Sequence, residues 1–341
     1  MTAETTFTIT YWGATGTLCA PLRPDEVADK VIDCIEELIA RGRLAGLPSG
    51  PDLRPALERE LEALPFHLRS TYGGNTSCVE VQTPDALLVI DCGSGFRELG
   101  RSLQQRWNAP GYKGDRSAHV LITHPHVDHV LAVPFFGPFY DPRNNFTIRG
   151  THPVLGGLDA VLNPTSALSH VYFPPTFDML KSLRDMKEIQ AWQEFNIGRT
   201  TVKTFPLRHP GGCLAFRLDC DGRAYVFATD HEQPEAPDTS LAAFAHGADV
   251  LYTEGQYTQA EYDGQQALPG EGPLPRRGWG HSTIEACVKT AVEAKVRCLH
   301  LGHRDPARTD ADLTRLQGFA QSLAGDALKV ILPYEGMTTT L

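Results

Sequence analysis

The segment Thr123-His124-Pro125-His126-Val127-Asp128-His129 places three imidazoles and a carboxylate within six positions, directly after the run Ala118–Thr123, which reads as a buried strand. Core packing gives little reason for so many polar groups there, whereas imidazole nitrogen and carboxylate oxygen suit borderline divalent ions such as zinc. On an extended turn the alternate residues His124 and His126 can aim at one ion, and Asp128 and His129, offset by one, can face a second. Six residues cannot complete two metal sites. Any fold for this chain must therefore bring further donors to the same place from other elements.

Such donors stand at the ends of later apolar runs. His209 follows Thr200–Leu207, Asp230 follows Ala224–Ala228, and His303 follows Cys298–Gly302. Further strands are expected at 7–13, 76–82, 86–91, 145–149, 215–219 and 250–253, from β-branched and aromatic residues bounded by Gly, Pro and Asp. Helical spacing marks 93–105, 155–162, 177–182, 240–245, 283–294 and 310–324. From Arg23 to Leu64 the apolar residues Val27, Val31, Ile35, Leu38, Leu57, Leu61 and Leu64 also recur at helical spacing, with Gly46 and Pro48–Pro51 between them, predicting a helical hairpin. Strand pairs interleaved with helices imply an α/β (α+β) sandwich with the histidine loops along one edge.

The order of these motifs resembles the metallo-β-lactamase superfamily: Asp91 after a strand, His124-x-His126-x-Asp128-His129, His209, Asp230 and His303. The resemblance covers about residues 7–20 and 71–341. It implies one αββα sandwich over 1–341 with a dinuclear metal centre in the cleft between the sheets. It implies that His124, His126 and His209 bind one metal and Asp128, His129 and His303 the other, with Asp230 bridging. Asp91 would support the histidine loop. The ions are expected to be Zn2+, with Mn2+ and iron as alternatives. An aspartate at 230 is similar to the hydrolase and phosphodiesterase branches, since the β-lactamases proper tend to carry cysteine there.

Thr253-Glu254-Gly255 and Gly280-His281-Ser282-Thr283 resemble the ribonuclease Z and cyclic-phosphate phosphodiesterase branch. There a histidine oriented by a glutamate acts on the leaving group, a role that falls to His281 and Glu254 beside Asp128. Tyr72-Gly73-Gly74-Asn75-Thr76-Ser77-Cys78 and Asp91-Cys92-Gly93-Ser94-Gly95 look like a bacterial subfamily of metal-dependent hydrolases. Residues 21–70, with the hairpin, are an insertion relative to that pattern and a candidate cap or dimer contact. The expected activity is hydrolysis of phosphodiesters in small or cyclic nucleotides. Rival readings are a lactonase, arylesterase or phosphotriesterase, a tRNA 3′-endonuclease, and a non-catalytic metal-binding module. Arg304, beside His303, is the expected substrate contact. Tyr172, Phe173 and Trp192 are candidates for a pocket wall or for core packing, and His119 and His300 are interior residues rather than ligands.

A net charge of −10 argues against extended nucleic-acid binding. No apolar run reaches membrane-spanning length, and the first residues lack the pattern of a secretory signal. The eight cysteines form no C-x-x-C pair and read as reduced thiols. A cytoplasmic enzyme, with homodimerisation as a family-level expectation, follows.

Overall fold

The computed structural model describes residues 7–341 apart from 167, 169, 170, 172, 173 and 235; the expectations for Tyr172 and Phe173 lie outside the described residues. The first sheet holds β1 (Thr8–Gly13), β2 (Cys78–Gln82), β3 (Leu87–Ile90), β4 (Ser117–Leu121), β5 (Asn145–Gly150) and β6 (Leu183–Glu188). The second holds β7 (Glu194–Ile197), β8 (Thr200–Leu207), β9 (Cys213–Cys220), β10 (Arg223–Ala228), β11 (Val250–Glu254), β12 (Cys298–Gly302) and β13 (Lys329–Ile331). The last strand, β14 (Thr338–Thr340), returns to pair with β1, so each sheet has seven strands, ordered 14-1-2-3-4-5-6 and 13-12-11-10-9-8-7.

Alternation along the strands builds the layers. In β10, Tyr225 and Phe227 point into the core between the sheets, while Ala224, Val226 and Ala228 join an outer core with the helices Thr239–Ala245, Ile284–Glu293 and Asp310–Ala324. In β3, Leu88 and Ile90 face inward, and Leu87 and Val89 pack outward with Phe96, Leu99 and Leu103 of the helix Gly95–Trp107. The result is the αββα sandwich. Pairs β3 to β6 and β10 to β13 run parallel, as helical crossovers on the outer faces require. Their carboxyl ends thereby open along one edge.

Some expectations are corrected. The stretch Phe177–Ser182 is not a helix: one 3₁₀ turn, Phe177–Met179, leads into the polar edge strand β6. Strands β6, β7, β13 and β14 escape the sequence reading because edge and short strands are rich in charge or threonine and show little apolar alternation. The hairpin takes form as helices Pro24–Ala40 and Leu53–Glu62. It is fastened to the sandwich through Lys30, which donates to Ser70 O at 2.6 Å and pairs with Asp310, and through Phe66, whose ring lies 4.7 Å from those of Tyr72 and Tyr334.

His300, within β12, is fully buried, with Nδ1 2.6 Å from the Tyr11 hydroxyl. Burial, helped by Lys329, pushes its imidazole down to about 3. The unfolded chain therefore takes up this proton first, and stability present above about pH 6.5 is lost as pH falls towards 3. About 2 kcal/mol should disappear between pH 6.5 and 5 from this group. Urea midpoints of the chelated protein across that range measure the slope, which should flatten in His300→Gln; an unchanged slope in the variant would remove His300 as its source.

Candidate metal centre

Each expected ligand sits just past a strand end on the same edge. Asp91, after β3, adopts φ +63° and is fully buried. It accepts from Thr123 N, Thr123 Oγ1 and Ser77 Oγ, each at 2.9 Å, and lies 2.7 Å from His129 Nδ1. That carboxylate therefore ties β3 to the histidine loop and turns His129 Nε2 towards the other donors. In the same way Gly280 O, 2.9 Å from His209 Nδ1, leaves His209 Nε2 facing inward. A Cβ on Gly280 would stand 2.3 Å from that ring, so the close approach requires glycine.

Among the described residues three groups of donors result, each with ligand atoms within 4.8 Å of one another: His124, His126, His209 and Asp230; Asp128, His129 and His303; and Asp230, His281 and His303, which overlaps the others. Asp230 stands between the first two. Its Oδ2 is 3.6 Å from Nε2 of His124 and of His209, while Oδ1 is 3.5 Å from His129 Nε2 and 3.2 Å from His303 Nε2. Asp128 Oδ2 lies 3.2 Å from His303 Nε2 and accepts from Thr17 N at 2.9 Å.

Burial pushes His124, His126 and His209 below the ordinary imidazole value. Burial opposes a charge on His129 too, but Asp230, Asp91 and Asp128 outweigh it and hold that ring well above the ordinary value. Burial works against the charged forms of Asp128 and Asp230 as well, and the surrounding imidazoles override it and keep both carboxyls low. The centre thus gathers negative charge out of water and demands a compensating cation. His124 Nε2 is buried with no hydrogen-bond partner. An orphaned imidazole nitrogen among imidazoles and carboxylates fits a divalent metal ion.

His281, just before the helix Ile284–Glu293, is 14% exposed and presents Nδ1 2.7 Å from Glu254 Oε2 at the end of β11. Its ring stacks 5.1 Å from that of His303. Glu254 is fully buried and also accepts from the backbone N–H of His231. Burial lowers the His281 imidazole, but the Glu254 charge and hydrogen bond, with Asp230 and Asp128, carry it to about 9.

Arg304 is placed otherwise than expected. Its buried guanidinium donates to Pro333 O at 2.9 Å, Tyr72 O at 2.5 Å and Gly73 O at 3.0 Å, so it braces backbone loops. Arg276 is buried and pairs with Glu271, and Arg308 pairs with Glu261. Trp192 is 72% exposed and rests on Phe205. Sequence reasoning missed Glu232, which accepts from Gly278 N at 2.7 Å, Gly280 N at 3.2 Å and the Tyr262 hydroxyl. Its position two residues past Asp230 was the available signal.

A metal-fitting centre at the carboxyl edge of an αββα sandwich defines the metallo-β-lactamase type of protein. The family model of the beta-lactamase superfamily domain matches residues 87–304, and the chain belongs to that family. A ribonuclease Z of Bradyrhizobium diazoefficiens is 27% identical over 198 residues, which span 55% of this chain and 58% of that protein. Among solved structures, the metallo-beta-lactamase fold protein YhfI from Bacillus subtilis superposes with a TM-score of 0.61 at 16% identity, covering 99% of this chain and 100% of the other. A diphosphatase from the PhnP family superposes with a TM-score of 0.58 at 16% identity, covering 98% and 97%. At such identity these structures speak for the fold. Among the described residues no helix is long and apolar enough to cross a membrane.

Proposed function

We propose that the protein is a dinuclear metal-dependent hydrolase that cleaves phosphodiester bonds in small or cyclic nucleotides. The observation that carries this reading is the pairing of two donor groups, shared through the two oxygens of Asp230, with an imidazole held by a buried carboxylate beside them. His124, His126 and His209 would hold one ion, Asp128, His129 and His303 the other, with zinc favoured by the donor types. Bound divalent ions supply Lewis acidity to water and to phosphoryl oxygens. The chain's own residues do the rest. Asp91 and Gly280 O fix the faces that His129 and His209 present, and Glu254 keeps His281 protonated and oriented, so that it can deliver a proton to the departing oxygen.

The relative named ribonuclease Z supports phosphoester chemistry and keeps RNA as the rival substrate. Two observations favour the smaller one: the net charge of −10, and the connector 177–192, which forms a turn and an edge strand rather than an RNA-gripping arm. The inserted helix Pro24–Ala40 flanks a cavity of about 680 Å³ lined also by His67, Thr15 and Asp305, and this supports the cap reading of residues 21–70. Eight unpaired cysteines fit a reducing cytoplasm.

Hydrolysis of bis(p-nitrophenyl) phosphate, 2′,3′- and 3′,5′-cyclic nucleotides, a phosphotriester, a lactone and a precursor tRNA, by stripped enzyme restored with zinc or manganese, tests this. A metal-dependent preference for a small diester is expected. Superior turnover of the lactone or of tRNA would replace the substrate class, and metal uptake without turnover would leave a binding module.

A further inference from the structure

The loop that precedes His281 is built more rigidly than a connection requires. Trp279 lies between Gly278 at φ +82° and Gly280 at φ +89°. The N–H groups of both glycines are held by the two oxygens of one carboxylate, Glu232, which is only 8% exposed. Arg276 is 1% exposed, and its guanidinium carbon sits 5.2 Å from the Tyr257 ring centre and 5.7 Å from that of Trp279. A buried cation thus backs the indole while 49% of the residue stays in water. Trp192, also exposed, rests on Phe205.

Place adds to rigidity. Trp279 is one residue from the carbonyl that orients His209 and two from His281. Elsewhere along the ligand loops, Leu18 and Val127 are each 62% exposed; Leu18 follows Thr17, whose N–H binds Asp128, and Val127 lies between His126 and Asp128. Exposed apolar groups attached to a polar, metal-fitting centre suit a ligand with one anionic and one flat apolar part.

We propose that Trp279 is the platform on which the nucleobase of the leaving group stacks, and thereby a specificity-determining residue; this rests on the phosphodiesterase reading above. A base has a π-face whatever its sequence identity, so the platform selects nucleotides as a class rather than one base. Because the ring is already fixed by Glu232 and Arg276, stacking costs little further ordering.

Isothermal titration of the metal-loaded protein with adenosine 5′-monophosphate and with ribose 5-phosphate isolates the base, since both ligands share the sugar and the phosphate. The nucleotide should bind at least about fivefold more tightly. That advantage should vanish in Trp279→Leu, which keeps apolar bulk without a π-face, and persist within about twofold in Trp279→Phe. Equal affinity of the two ligands for the unmodified protein, including no binding of either, overturns the platform, as does a base advantage that survives in Trp279→Leu at unchanged metal content. Failure of the phosphodiesterase reading looks different: the base advantage would be present while no diester is turned over.

Discussion

Replacing Asp230 by asparagine is expected to lower kcat/KM by about 10³-fold or more and to reduce bound metal from two ions per chain towards one. The side chain keeps its size, so the expectation comes from chemistry. One oxygen faces His124 and His209, the other His129 and His303, and an amide can offer an oxygen to only one side. Thr229 Oγ1 donates to Oδ1 at 2.8 Å and would favour retention of the oxygen on the His129 side. The group expected to lose its ion is therefore His124, His126 and His209. Metal analysis by mass spectrometry together with diester turnover checks both parts. Two tightly held ions and undiminished turnover in the variant would end the bridging assignment.

Acidity should act on the same centre. His129 must give up its proton to serve as a ligand, yet three carboxylates hold that proton. Metal uptake is accordingly expected to release protons and to weaken as pH falls.

Most of this centre was legible because its donors follow strands whose apolar runs are unambiguous. Each of β4, β8, β10 and β12 ends within four residues of a histidine or aspartate, and parallel order on both sheets then collects these ends on one edge. What stayed hidden depends on where a side chain turns. Arg304 looked like an anion contact from its place beside His303, but its guanidinium folds back to three carbonyls, a choice made by Tyr72, Gly73 and Pro333, distant in sequence. Glu232 reads as an ordinary polar residue until the loop 278–280 folds over it. Edge strands such as β6 were missed because their polar faces are set by solvent rather than by a core.

The second large effect concerns His281. His281→Ala is expected to cost about 10²- to 10⁴-fold in kcat on a diester with an alkyl leaving group and little on a p-nitrophenyl diester, whose phenolate departs without a proton. The acid form is the active one, so its population falls as pH rises through the imidazole's value, which lies above the ordinary one. Burial by itself would push that value down, and the Glu254 contact at 2.7 Å is the leading influence opposing it. Cations bound at Asp230 and Asp128 would offset those two carboxylates and leave Glu254 as the support that persists. Glu254→Gln should therefore move the alkaline limb of the alkyl-diester profile to lower pH by at least about one unit, with the p-nitrophenyl profile unmoved. Equal losses on both substrates would make His281 a structural or metal-holding residue, a role its position near Asp230 and His303 also permits; unequal losses with the shifted limb would identify it as the proton donor.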